Sequence, residues 1–156
     1  MGGDVLAKRE KSISTEVLHK EIDLIQSCIN RMAQNSFSCK GWALTLIAGV
    51  STLIPKNVNK LYLFIIILCI DLCFWWLDSF YVLQEKKYRE KYSWVIKNRK
   101  EGNMQFLYDL NPNNKNTMIT PFDKSQFCVA FSHTLLPMYG GIVIMILGFI
   151  FFNCWR

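Results

Sequence analysis

The chain has 156 residues, of which 51% are hydrophobic and 19% are charged, and its formal net charge is +6. This length suits one compact unit and excludes a pair of ordinary domains. The charges are grouped in residues 1–40 and 84–126, with a small pair at Lys56 and Lys60, and long apolar stretches separate these groups. A soluble domain of this size carries charge on every surface face, so the segregation predicts a membrane protein.

Residues 1–36 are predicted to form an amphipathic helix in the cytoplasm. Apolar side chains recur there at steps of four, three, four and three residues: Leu18, Ile22, Ile25, Ile29 and Met32. Such a seam, about two heptads long, is typical of a helix with one apolar face. Neither Pro nor Gly interrupts residues 4–40. The helix is therefore expected to continue into the first membrane span.

Three apolar segments are predicted to cross the membrane as helices: residues 37–54, 60–83 and 127–153. The second is the clearest, because Leu61 to Leu83 would rise roughly 35 Å as a helix, and a hydrocarbon core is about 30 Å thick. The first is short, and Lys40 is expected to extend from it to the headgroups. The third contains Pro137 and the pair Gly140–Gly141, which predict a kink or a close helix contact.

The uneven distribution of Lys and Arg predicts the orientation. Residues 1–40 carry six of them and residues 84–126 carry nine, whereas the link 55–60 carries two and the C-terminus carries one, Arg156. Positively charged segments stay on the cytoplasmic side. The N-terminus is therefore expected in the cytoplasm and the C-terminus outside, and PKNVN, at residues 55–59, is predicted to be a tight external turn.

The basic segment 84–126 is predicted to be a helix followed by an irregular loop. Residues 84–101 are strong helix formers, whereas residues 103–126 are rich in Asn and contain two prolines. Segments 15–54 and 60–101 are nearly equal in length. They are therefore predicted to pair as an antiparallel hairpin of two long helices, part in the membrane and part in a cytoplasmic stalk.

Two carboxylates in the second apolar segment are candidates for lining a pore or relaying ions. Asp71 and Asp78 lie seven residues apart and so on nearly the same helix face. Ionised carboxylates are costly in lipid and should face a protein interior or a water-filled path. His133 is a third candidate. In the alternative interpretation Asp78 meets water at the interface, Asp71 pairs with His133 or a backbone group, and His133 is an ordinary interfacial hydrogen-bonding residue.

The basic segment is the candidate ligand-binding site. Cations and aromatic rings are interleaved along it: Lys86, Lys87, Tyr88, Arg89, Lys91, Tyr92, Lys97, Arg99 and Lys100. Cations that neutralise phosphates, beside rings that stack on bases, suit single-stranded nucleic acid or a nucleotide. The alternative is a juxtamembrane run that contacts anionic lipid headgroups.

Signals of an enzyme are absent from the sequence. It contains no P-loop, no Gly-rich dinucleotide turn and no paired metal ligands, and its two histidines, His19 and His133, lie in unrelated segments. The six cysteines match no zinc or redox spacing and are expected to be reduced packing residues. We therefore expect no catalytic activity, no cofactor and no metal.

Three stretches together resemble a group of small bacterial membrane proteins: LHKEIDLIQSCINRMAQNSFSCKGWALTLIAG at residues 18–49, FWWLDSFYVLQEKKYREKY at 74–92 and LYDLNP at 107–112. Similar proteins are the membrane effectors of the Hailong anti-phage defence system. The resemblance implies an all-α protein of the bacterial inner membrane that assembles as a homo-oligomeric pore and collapses the membrane potential of the infected cell. It also implies a partner nucleotidyltransferase whose oligodeoxyadenylate product keeps the pore shut.

Two functions from other classes remain open at this point. A non-conducting membrane scaffold would recruit a soluble partner through the stalk. A small proton-coupled transporter would need Asp71 to titrate, but the sequence has no recognisable inverted repeat.

Overall fold

The computed structural model of the chain describes residues 2–53, 60–119 and 125–154. Two long helices dominate it, α1 (Gly2–Leu53) and α2 (Lys60–Lys100). A short 3-10 helix (Lys115–Thr117) and two further helices follow, α3 (Gln126–Ala130) and α4 (Leu136–Cys154). No strand occurs in these three ranges, so the predicted all-α class is confirmed.

Helices α1 and α2 are both unbroken, as the lack of Pro and Gly in residues 4–40 and in α2 predicted, and α1 continues through Gly41 and Gly49. Gly102 ends α2 with a φ of 76°, a left-handed conformation that glycine adopts without strain. The amide of Gly102 donates to the Arg99 carbonyl, and the amide of Asn103 donates to the Asn98 carbonyl. This Schellman pattern satisfies the last carbonyls of α2. The predicted turn at residues 55–59 and the terminal Arg156 lie outside the described residues.

The chain folds into two compact units, and each takes part of α1 and part of α2. The polar unit comprises Met1–Arg31 and Gln84–Asp123, and the apolar unit comprises Met32–Leu83 and Lys124–Arg156. The division follows the grouping of charges along the sequence, since the polar unit contains most of the basic segment.

In the polar unit α1 and α2 run antiparallel, because Glu21 contacts Arg99 whereas Cys28 contacts Tyr88. The seam predicted on α1 is the buried face of this pair: Ile25 and Ile29 are buried, and they share the core with Val95 of α2. Burying each such side chain contributes roughly 1.5–3 kcal/mol. The predicted apolar seam therefore faces the interior of the polar unit at Ile25 and Ile29.

In the apolar unit α1 and α2 are again antiparallel, and α4 packs beside them. Ile67 of α2 and Ile142 and Ile146 of α4 form the core, against which Ile47 and Val50 of α1 pack. Among the described helices, α2 alone is long and apolar enough to cross a membrane, from Leu61 onward. Only 17% of its most apolar window is buried. A core helix of a soluble protein would be mostly buried, so this exposure favours a lipid environment.

The third apolar segment is not one kinked helix, and this prediction was wrong. Helix α3 ends at Ala130, residues 131–135 form turns, and α4 begins at Leu136. Pro137 is therefore in the first turn of α4, where its missing N–H leaves no helical hydrogen bond unmade. The break lies upstream of the proline, and α4 alone is about 28 Å long.

The predicted close helix contact at Gly140–Gly141 was also wrong for the described part of the chain. A Cβ atom at Gly141 would meet open space, and one at Gly140 would meet only the Leu136 side chain of the same helix, at 3.5 Å. The two glycines therefore leave an open surface on α4 within one copy of the chain.

Candidate functional site

Four side chains from three helices form a buried polar group in the apolar unit, here called the Asp78 cluster: Ser36, Lys40, Asp78 and Tyr139. Asp78, on α2, is 0% exposed. Its Oδ1 atom accepts a hydrogen bond from the Ser36 hydroxyl at 2.5 Å, and its Oδ2 atom lies 2.6 Å from the Lys40 ammonium. The Tyr139 hydroxyl of α4 donates to Oδ2 at 3.0 Å. Both carboxylate oxygens are thus fully used.

The Asp78 cluster joins the three helices of the apolar unit through one carboxylate. Ser36 and Lys40 lie one turn apart on α1, so both reach the same point on α2, and Lys40 also donates to the Ser36 hydroxyl at 2.8 Å. Lys40 was expected to extend to lipid headgroups, and that prediction was wrong. An opposite charge within reach is a better partner for an ammonium group in an apolar setting.

Asp71 lies two turns away on α2 and has the opposite environment. It is 0% exposed, and neither of its carboxylate oxygens has a hydrogen-bond partner within the described ranges. The alternative interpretation, in which Asp71 pairs with His133 or with a backbone group, is therefore wrong for the described residues. His133 lies in the exposed turn between α3 and α4 and contributes to neither carboxylate. Tyr139 approaches the carboxylates instead, from the first turns of α4.

In the polar unit two of the nine predicted ligand-binding residues are buried cations. Arg99 pairs with Glu21 through two hydrogen bonds, of 2.8 and 2.9 Å, and its side chain is 2% exposed. Lys91, 1% exposed, lies 2.9 Å from Asp109 and donates to the Asn111 carbonyl at 2.9 Å. Both cations are therefore already paired with carboxylates of the same chain.

These two ion pairs hold the loop that follows α2 against the helices. Arg99 also donates to the carbonyls of Asn103 and Gln105, and Glu21 accepts the Tyr108 amide at 3.1 Å. Phe106 and Tyr108 have φ values of 56° and 57°. Residues with a Cβ atom adopt this left-handed region only where the surroundings enforce it. We call this set of contacts, centred on Glu21 and Arg99, the loop clamp.

Burial alone would raise the pKa of Asp109, but hydrogen bonds from the Asn111 backbone amide and the Lys91 ammonium lower it overall. A carboxylate with a lowered pKa stabilises the fold above its unfolded value, about 3.9, and loses this effect as the pH falls through the folded value. The loop attachment is therefore complete at neutral pH. Burial, together with the neighbouring Cys28 thiol, raises the pKa of the Tyr88 phenol.

Four of the five remaining cations form a surface face, here called the cationic stripe: Lys86, Arg89, Lys97 and Lys100. Their spacing places them on one side of α2 over about 21 Å. Arg89, Lys97 and Lys100 are exposed, whereas Lys86 is half-buried. Arg89 pairs with Glu85 at 2.7 Å but is 62% exposed, so this pair is weak and open to exchange.

Of the other three predicted ligand-binding residues, Tyr88 is buried, whereas Lys87 and Tyr92 lie beside the stripe. Lys87 is half-buried and donates to Asn113 at 2.7 Å, and Tyr92 is half-buried. The structure thus separates the nine residues into a structural set and a surface set, which composition alone did not distinguish.

Comparison with known proteins adds no relative: no family model, no curated protein and no solved structure matches the chain. The resemblance to anti-phage membrane effectors therefore stays a prediction. The functional argument therefore depends on the chemistry of Asp71, the Asp78 cluster and the cationic stripe.

Proposed function

We propose that the chain is a three-span protein of the bacterial inner membrane that assembles into a homo-oligomeric channel for anti-phage defence. The spans are residues 37–53 of α1, residues 60–83 of α2, and α4. The N-terminus lies in the cytoplasm and the C-terminus outside. A nucleotide or single-stranded DNA from a partner nucleotidyltransferase, an oligodeoxyadenylate by the resemblance above, controls the opening of the channel.

Asp71 is the observation that carries the proposal. A buried polar group without a hydrogen bond is destabilising, and an ionised one far more so. Acidic residues inside membrane helices therefore mark ion or proton pathways in most cases. A purely structural position on an apolar helix would be better filled by Leu. Three short spans cannot enclose a pore, so several copies are required for Asp71 to line one.

The Asp78 cluster supports a closed arrangement. With both oxygens of Asp78 used by Ser36, Lys40 and Tyr139, this carboxylate is not offered to a permeating ion. A ligand can hold such a state only if it binds the closed form better than the open form. The cationic stripe, with three exposed cations, has the chemistry to bind a polyanionic ligand.

The first test is the membrane potential of bacterial cells expressing the chain. We expect depolarisation when it is expressed alone and a restored potential when the nucleotidyltransferase is co-expressed. Asp71→Asn should change the conductance of the purified protein in planar bilayers. Asp23→Asn, at an exposed position of α1 in the polar unit, is the matched control and should leave the conductance unchanged. A potential that is unaffected under both conditions contradicts the channel.

The cationic stripe is tested by charge reversal. The triple variant Arg89→Glu, Lys97→Glu and Lys100→Glu should weaken binding of a fluorescent oligodeoxyadenylate by about tenfold or more, and each lost phosphate contact should reduce the salt slope by about one. Fluorescence anisotropy at several salt concentrations measures both. The single variant Lys97→Glu is compared with Lys20→Glu, an exposed cation on α1. Equal effects of the two single changes would show that only net charge matters.

A second candidate, a non-conducting scaffold, is favoured by one observation. The loop after α2 exposes apolar side chains, with Met104 47%, Phe106 42% and Leu107 38% exposed. Exposed apolar side chains that adjoin one another often bind a protein partner. A soluble protein that co-purifies with the chain through this loop, together with an unchanged membrane potential, would support the scaffold and reject the channel.

A further inference from the structure

A cavity of about 160 Å³ opens between α2 and the segment containing α3 in the apolar unit. Six apolar or aromatic side chains line it: Leu72, Trp75, Trp76, Phe127, Ala130 and Phe131. Phe127 and Ala130 belong to α3, and Phe131 directly follows the last residue of α3. Three of the six lining residues therefore lie where the sequence predicted one continuous helix.

The polar atoms near the cavity are already bonded within the chain. The Trp75 indole N–H donates to the Ala130 carbonyl at 2.9 Å. The Gln126 amide donates to the Trp76 carbonyl at 2.9 Å and to the Ser79 hydroxyl at 3.1 Å. The wall therefore presents carbon atoms to any occupant, and water would find no partner there.

Paired aromatic rings form the walls of the cavity. Trp76 meets Phe127 edge to face at 4.8 Å between ring centroids, and Trp75 meets Phe131 in the same way at 5.4 Å. Trp75 also stacks on Tyr139 at 6.0 Å. Aromatic pairs of this kind attract each other beyond the effect of their burial, so these contacts hold the wall residues together.

The cavity opens on the outer surface of the helices. Phe127 and Phe131 are each 63% exposed, and Leu72 and Trp76 are 47% and 46% exposed. In a membrane-inserted protein this surface meets lipid. An apolar cavity of about 150 Å³ takes up an apolar molecule such as benzene and excludes water.

We propose that this cavity is a binding site for one hydrocarbon chain of a membrane lipid. The inference rests on the membrane insertion proposed above and names the chemistry of the occupant, a saturated or unsaturated acyl segment without polar groups. The volume, the carbon lining and the exposed aromatic rim all fit this occupant. A side chain from a second copy is the competing occupant, and the experiment separates the two.

The test uses the full-length chain in phosphatidylcholine vesicles whose lipid carries a photoreactive diazirine on one acyl chain. After irradiation, mass spectrometry of peptides locates the labelled residues. We expect labelling at Trp76 and Phe127 to exceed labelling at Ile144 and Met145, which are 71% and 70% exposed on α4, by about tenfold, since a site with about 1.4 kcal/mol of preference enriches its ligand by that factor.

Two variants fill the cavity from opposite walls, so the test still stands if one of them misfolds. Ala130→Leu fills it from α3, and Leu72→Phe fills it from the half-exposed surface of α2. Each should reduce labelling at Trp76 to the level seen at Ile144. Met145→Leu, on the open face of α4, is the matched control and should leave labelling at Trp76 unchanged.

Three outcomes would overturn the inference in different ways. Equal labelling at Trp76 and Ile144 would mean that only the surrounding bilayer lipid is sampled. An absence of lipid adducts at Trp76 and Phe127, with labelling retained at Ile144, would identify a second copy as the occupant. An absence of labelling on both α2 and α4 would reject membrane insertion itself, and the proposed channel would fail together with the lipid site.

Discussion

Replacing Arg99 by Met is expected to lower the free energy of unfolding of the polar unit by about 3–5 kcal/mol, the usual effect of removing one partner of a buried ion pair. Glu21 would be left 1% exposed with a charge and no counterion. The carbonyls of Asn103 and Gln105 would also lose their donor. Denaturant unfolding of the detergent-solubilised protein, followed by the fluorescence of Trp94, measures the change.

The control for Arg99 is another arginine of α2 in a different environment. Arg89→Met removes an exposed i, i+4 pair and should change stability by less than about 0.5 kcal/mol. The double variant Glu21→Met and Arg99→Met should cost less than Arg99→Met alone, because it leaves no buried charge unpaired. If Arg99→Met and Arg89→Met have equal effects on stability, the loop clamp is not structural, and Arg99 would be free to serve the ligand, as the sequence suggested.

Helical spacing indicates which cations of the basic segment are buried and which are exposed, whereas composition does not. Tyr88, Lys91, Val95 and Arg99 follow one another at steps of three, four and four residues, so the two cations share a face with buried apolar residues. A cation on such a face needs an acidic partner on the opposing helix. Glu21 is the matching residue on α1, and Asp109 is supplied by the loop. The partner in the loop could not be predicted, because no periodicity constrains residues 103–119.

The two long helices could be predicted from the sequence, whereas the break in the third apolar segment could not. Neither Gly nor Pro occurs in residues 4–40 of α1 or within α2, and Gly102 marks the end of α2. Residues 131–135, FSHTL, carry no Gly or Pro, yet the helix stops there. The Ala130 carbonyl accepts the Trp75 indole N–H, a contact between residues 55 positions apart. Tertiary contacts of this kind override local propensity and leave no mark in the local sequence.

Only part of the Asp78 cluster could be predicted from the sequence. The antiparallel pairing of two near-equal helices brings the end of the polar half of α1 close to Asp78, so Lys40 could have been assigned to it by register. Tyr139 could not, because its position depends on where α4 begins. The isolation of Asp71 is likewise a property of the packed structure, since the sequence places both carboxylates on one helix face.

Asp71→Leu is expected to stabilise the apolar unit by about 1–3 kcal/mol, the penalty of an unsatisfied buried polar group, and to abolish conductance. Asp78→Leu is expected to destabilise it by about 1–3 kcal/mol, below the full value for a buried pair because Lys40 is 27% exposed and keeps some water. Thermal unfolding in detergent and ion flux into vesicles measure the two properties separately. Adding Lys40→Met to Asp78→Leu should recover part of the lost stability.

The two substitutions are expected to change stability in opposite directions, although the carboxylates are only seven residues apart. This pair of variants is therefore the most direct test of the proposed function. Removing a residue with a structural role lowers the stability of the protein, whereas a residue kept for function often lowers that stability while it is present. If Asp71→Leu destabilises the protein, the carboxylate has a partner that one copy does not show, and the oligomer would have to supply it. If Asp71→Leu is stabilising and conduction persists, Asp71 does not line the pathway, and the channel would have to use another surface.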